Sequence, residues 1–205
     1  MSDFFAVVHR QRACRSFRPE PVDEQVLAAV LGAATMAPSA ENRQPWTFVV
    51  VTDEDSRARI GDLTRRAWRG GARTFSESRL APTLLAEVDH GAEGGISAAP
   101  VLIVVGGDTS LGHEGAMAAS IFPAVQNLLL AATACGLGSA LTTLTTAFAA
   151  ELRDLVGLPE HVLPMAVVPL GWPTRSLGPP RRQPLEAKAH RESYGAPWIP
   201  RGSPA

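Results

Sequence analysis

The run from Ala116 to Cys135 is the most apolar in the chain, yet Ser120, Pro123, Gln126, Asn127 and Thr133 interrupt it. A helix of that length rises about 30 Å. It carries too many polar groups to sit comfortably in lipid, and too much apolar surface to lie on the outside of a soluble domain. The run therefore predicts a buried core helix, with Ile121, Val125, Leu128, Leu129 and Ala132 on one face. The chain has 205 residues, enough for one domain with a substantial core. We expect a single domain over 1–205, ending in an extended arm over 171–205.

Three β-rich runs, Trp46–Val51, Ala99–Val105 and Val162–Leu170, are short and bounded by turn residues, as core strands are. Helical patterns separate them. Phe4 to Gln11 is one; a second follows Asp23 with Val26, Leu27, Val30 and Leu31 as its stripe; a third follows Asp53 and reaches about Trp68. Glu151 to Val156 is a fourth. Gly136 and Gly138 end the core helix, and Ser139 to Thr146 is rich in β-branched residues. Arg69 to Gly95 reads as a lid or binding loop, helical only over Leu80 to Val88. From Gly171 onward prolines and glycines predict an arm lying on another surface, with no capacity to pack on itself. This alternation predicts an α/β or α+β layered fold.

A net charge of −1 gives no global basic field, so nucleic acid is not expected as a partner. Neither is a membrane. Cys14 and Cys135 make no zinc spacing, the five histidines are scattered, and no metal site is expected. The reduced-thiol pattern and the Met-Ser-Asp-Phe-Phe start predict a cytoplasmic protein. Phosphate-binding and dinucleotide-binding glycine motifs are absent, as is a serine-nucleophile elbow. An enzyme of this sequence would have to borrow its chemistry from an organic cofactor.

Four elements offer groups for such a ligand. His9-Arg-Gln-Arg-Ala-Cys-Arg-Ser-Phe17 places three arginines in six positions, able to clamp a phosphate with forked donors. Cys14, between Arg12 and Arg15, would have a lowered pKa if exposed to their charge, or pack inward as a small core residue. Ala37-Pro-Ser-Ala-Glu-Asn-Arg-Gln-Pro-Trp46 gathers Ser39, Asn42, Arg43 and Gln44 at a helix-to-strand junction. Thr142-Thr143 follows a glycine-permitted close approach. Arg181-Arg182 follows Gly178-Pro-Pro in the arm. Together they suit one flat, phosphorylated ligand.

These same motifs resemble the FMN-dependent nitroreductase superfamily, from about Phe4 to Pro184. The basic box resembles Gln11-Arg12-Ala13-Cys14-Arg15-Ser16-Phe17 followed by Pro21-Val22; the loop motif resembles Ala37-Pro38-Ser39 with Asn42, Gln44, Pro45 and Trp46. The core helix resembles Pro123 to Ala131 leading into Gly136-Leu-Gly138, and the closing motif Pro169-Leu-Gly-Trp-Pro173 with Arg181-Arg182-Gln-Pro184. The resemblance implies an α+β fold with a central mixed sheet flanked by helices, and an intertwined homodimer with FMN at the subunit interface. It implies cofactor contacts from Arg10, Gln11, Arg12, Ala13 and Arg15, from Ser39, Ala40 and Asn42, from Leu141, Thr142 and Thr143, and from Arg181 and Arg182. Thr143 would lie near the flavin N5. This chain departs from the family at Gln11 and Ala13, where members often carry a basic residue and a serine, so Arg10 or Arg12 would take over.

The activity implied is transfer of electrons from NAD(P)H to a small aromatic molecule: a nitroaromatic, quinone or similar flat acceptor. Two other readings share these residues. One is a reductive dehalogenase resembling iodotyrosine deiodinase, whose lid uses glutamate, tyrosine and lysine; here the only tyrosine is Tyr194 and the only lysine Lys188, both in the tail. The other is a flavin-binding sensor or storage protein without turnover. A deazaflavin in place of FMN is a further possibility.

Overall fold

The three apolar runs form the long strands of one sheet in a computed structural model that describes residues 3–198. β1 (Trp46–Val51), β2 (Val101–Asp108) and β4 (Val162–Gly171) pair antiparallel, and the two-residue β3 (Gly138–Ser139) closes the order β1-β2-β4-β3. The mixed character comes from a single parallel bridge, Ala13 to Ser139, on the outer side of β3.

Both faces of the central strand are covered. Val101, Ile103 and Val105 pack with Ile121, Val125 and Leu128 of α6 (Glu114–Ala134) and with Leu27 and Val30 of α2 (Glu24–Ala34). Leu102 and Val104 point the other way, onto Ile60 and Leu63 of α3 (Glu54–Ala67) and Leu152 of α7 (Ala149–Leu155). That period of two explains why β2 is apolar from Val101 to Val105. By length and composition α6 could cross a membrane. Here it is the core helix that its sequence predicts, with Ile121, Ala124, Val125, Leu128 and Ala132 wholly buried.

Aspartates start α2 and α3 as the sequence suggests: Asp23 accepts from Gln25 N–H and Asp53 from Ser56 N–H. Asp3, outside that expectation, does the same for Phe5 N–H at the head of α1 (Phe4–Arg10).

Two expectations are corrected. Residues 68–95 are not a loop: a π turn over Trp68–Ala72 leads into α4 (Arg73–Glu77), then α5 (Pro82–His90), then a second π turn over Gly91–Gly95. Trp68 is buried, and its indole N–H donates to Asp89, which also takes Arg73. The segment folds because these partners cross-link it. The arm also packs on its own chain. Trp172 joins the α2–α6 cluster and donates to Pro21 O, Leu177 packs against the other cluster, and residues 189–198 close a turn through Trp198 N–H to Ala189 O.

Candidate functional site

After α1 the chain runs extended along the free edge of β3. Cys14 N–H donates to Ser139 O at 2.8 Å, and Thr174 N–H donates to Ser16 O. Cys14 is buried, its Sγ donating to Ser16 O; desolvation pushes the thiol above its ordinary range despite nearby Arg15. The inward reading of Cys14 holds. Side chains alternate along an extended stretch, so burying Cys14 turns Arg15 to the other side.

There Arg15 meets the second π turn. A Cβ on Gly91 would stand 2.6 Å from Arg15 Cδ, so glycine makes room for the arginine stem. The Arg15 guanidinium is half-buried, and desolvation lowers its pKa; the charge of Glu87 acts in the opposite direction. Among the described residues it has no hydrogen-bond partner or ion-pair contact. A desolvated cation without a partner is costly unless an anion meets it.

An open cleft gathers Gln11, Arg12, Ala13, Arg15, Leu141, Arg181 and Arg182, walled by Leu84 and Glu87 of α5 and Leu129 of α6. The first and last parts of the sequence thus meet at one surface. The floor comes from the segment beyond β3. Ala140 N–H and Thr142 N–H both donate to β4, at Pro169 O and Val167 O. Successive amides in an extended run point to opposite sides, which directs the Leu141 N–H away from β4; Leu141 itself lines the cleft.

Other residues singled out by sequence lie elsewhere. Thr142 is buried, its backbone pairs with Val167 in both directions, and its hydroxyl accepts from Leu144 N–H. Thr143 is exposed beside it. Arg10 bonds back to Ala6 O on α1. Ser39, Ala40 and Asn42 are not brought to this cleft within one chain. Ser39 Oγ accepts from Gln44 N–H, and Ala40 N–H donates to Ser120 Oγ on α6. Ser120 and Leu129 are nine positions apart, about 14 Å along the helix, so the loop sits well up α6 from the cleft. Its backbone is strained: Glu41, Asn42 and Gln44 have φ of 53°, 55° and 52°. Such left-handed positions in non-glycine residues cost energy and are common at binding loops.

Glu87 has arginine partners that local sequence patterns do not reveal. It accepts from Arg12 at 3.4 Å and Arg175 at 3.5 Å, contacts spanning 75 and 88 positions. An acid between Ala86 and Val88 on a short helix without Lys or Arg gives no local signal of such partners.

The sequence model of the nitroreductase family matches residues 8–172, which contain the whole sheet and the N-terminal side of the cleft. The chain belongs to the nitroreductase family. This nitroreductase-family chain is 32% identical over 194 residues to an NADH dehydrogenase of Thermus thermophilus, covering 86% of this chain and 90% of that protein. Among solved structures it is similar to an iodotyrosine deiodinase with bound FMN and 3-iodo-L-tyrosine (26% identity, TM-score 0.75, 93% of this chain and 99% of that one). A nitroreductase with bound FMN from Desulfitobacterium hafniense shares the fold (24% identity, TM-score 0.75, 94% and 100%). The α+β family fold is thereby established, and the family places this chain among oxidoreductases.

Proposed function

We propose that this chain is an FMN-dependent oxidoreductase passing electrons from NAD(P)H to flat aromatic acceptors such as nitroaromatics and quinones. The observation that carries the reading is the half-buried Arg15 guanidinium, without a hydrogen-bond partner among the described residues, in a cleft with Arg12, Arg181 and Arg182. That donor set fits a phosphorylated flavin: forked cations for the phosphate or the polar ring edge, and an outward N–H at Leu141 for a ring heteroatom. FMN would supply hydride acceptance and release. The protein's part is to hold it, to donate hydrogen bonds where charge accumulates, and to limit water. Leu84, Leu129 and Leu141 offer apolar walls to a flat substrate.

Thr143 is retained as a residue near N5, and Arg10, Gln11, Ala13, Thr142, Arg181 and Arg182 as a surrounding basic and polar rim. In this reading Ser39, Ala40 and Asn42 serve the cleft of a second subunit. Their loop is largely exposed, lies about 14 Å along α6 from its own cleft, and is already bent into a strained shape. The active form is therefore a homodimer. Sedimentation of the flavin-loaded protein tests this; a monomer retaining FMN would contradict it.

A dehalogenase acting on a zwitterionic amino acid is the second reading, favoured by the likeness to iodotyrosine deiodinase. The charged residues of 68–95 argue against it. Arg73 is paired with Glu77 and Asp89, and Arg79 stacks over Phe75, so both arginines that could take the substrate carboxylate already have partners. A zwitterion clamp would need one of them free. The deciding experiment compares NAD(P)H oxidation supported by a nitroaromatic with flavin fluorescence during titration by a halotyrosine. Turnover with the first and no quenching by the second is expected; tight quenching by the halotyrosine would favour the dehalogenase.

A further inference from the structure

Glu87 is the one carboxylate lining the basic cleft among its described residues. It projects from α5, the helix that walls one side, and each of its oxygens lies within 3.5 Å of Arg12 Nη2, with Oε1 also 3.5 Å from Arg175 Nη2. Its charge also reaches Arg15. One acid thus answers three arginines from separate parts of the chain: two on the N-terminal segment, one on the turn after β4. The Glu87 and Arg12 side chains are each about one-third exposed (32% and 35%), so the pair is open to an incoming anion. The contacts of 3.4 and 3.5 Å lie beyond the usual length for a strong charge-assisted bond. A phosphate presenting three oxygens would bind the same donors at shorter range.

We propose that Glu87 is a placeholder for the cofactor phosphate: it keeps Arg12 and Arg175 paired in the empty protein, and the phosphate displaces it on loading. This rests on the FMN reading and adds a regulatory and specificity element to it. Because Glu87 sits on α5, its displacement removes one of the two side-chain hydrogen-bonded links between that helix and the N-terminal segment among the described residues. The other, Ser16 Oγ to His90 Nε2 at 2.9 Å, remains. The phosphate, which takes no part in electron transfer, thereby frees the helix that borders the substrate cleft. Riboflavin offers the same ring without the phosphate and leaves Glu87 in place.

The test uses Glu87→Gln, which removes the charge and keeps the shape. An exposed pair of this kind is worth at most about a fivefold change in equilibrium. FMN should therefore bind apoprotein of the variant roughly two- to fivefold more tightly than wild type, with riboflavin unchanged. Weaker FMN binding in the variant would overturn the proposal, since Glu87 would then be orienting Arg12 for the phosphate. So would an equal change for both flavins, or no change for either. A second measurement uses the unaltered chain, so it does not depend on the variant folding. Hydrogen exchange over residues 82–90 should be faster in the FMN complex than in the riboflavin complex. Equal or slower exchange with FMN contradicts displacement. If wild-type protein binds neither flavin, it is the underlying cofactor reading that fails, and the two failures are told apart by that control.

Discussion

Gly91→Ala separates the cofactor site from the stability of the fold. Gly91 has an ordinary right-handed backbone, φ −61° and ψ −48°, so alanine is conformationally allowed there. In open space the change would stabilise the helical turn by up to about 1 kcal/mol. The added Cβ would however meet Arg15 Cδ at 2.6 Å, Cγ at 3.2 Å and Cβ at 3.3 Å. Ordinary carbon contacts begin near 3.5 Å, so the arginine stem must shift by roughly 1 Å. Overpacking of this size costs about 1–3 kcal/mol in a rigid site, but an arginine stem can yield, which puts the net stability change near zero to about 2 kcal/mol. The cofactor site has less tolerance, because misplacement by roughly 1 Å can cost about a hundredfold where geometry matters. Thermal unfolding and FMN fluorescence titration of the same sample give the two numbers. We expect a small change in Tm and a loss of FMN affinity of at least about tenfold. Wild-type affinity in this variant, with Arg15→Ala impaired, would refute the claim that the π turn positions Arg15.

Arg15→Ala itself should weaken FMN by roughly ten- to a hundredfold, the worth of one charge-assisted hydrogen bond of about 1.5–3 kcal/mol, with a smaller effect on riboflavin; equal losses would remove the phosphate from its role. Leu128→Ala, at a fully buried position between α6 and the sheet, should lower stability by about 2–5 kcal/mol in denaturant unfolding, and a change below about 1 kcal/mol would deny α6 its core role. The Asp89 carboxyl is held below its usual range by hydrogen bonds from Trp68 and then Arg73. Because its folded pKa is depressed, its contribution is present above the unfolded value near 4 and fades as pH falls through the lower folded value. The Tm difference between wild type and Asp89→Asn should therefore shrink on acidification below about pH 4, and a difference independent of pH would contradict the linkage.

The parts of this protein that announced themselves in sequence were those with a local period or a local cap. The three long strands, the α6 stripe and the aspartate starts are all of that kind. β3 was illegible because two residues cannot display a period, and its place depends on pairing with Leu170 and Gly171 far along the chain. Residues 68–95 looked like a loop because Gly70-Gly71 and Gly94-Gly95 break the helical pattern. In the structure those glycines sit in π turns, with Gly71 at φ 140°, and the helices between them are held by Trp68, Arg73 and Asp89. At the cleft, the clustered arginines were legible and the structure draws Arg12, Arg15, Arg181 and Arg182 together. Thr142 and Thr143 are alike in sequence; only the pairing of Thr142 with Val167 shows which of them is buried. The partners of Glu87 needed the tertiary fold, since they come from both ends of the chain.

The central claim is that the arginine cleft holds a phosphorylated flavin. The most direct measurement is the visible absorbance spectrum of the purified protein, followed by identification of the chromophore released on denaturation. The account predicts a yellow protein, or a colourless one that turns yellow with added FMN, that releases FMN in a ratio of one per chain. A protein that shows no flavin spectrum and takes up no FMN when it is supplied would contradict it.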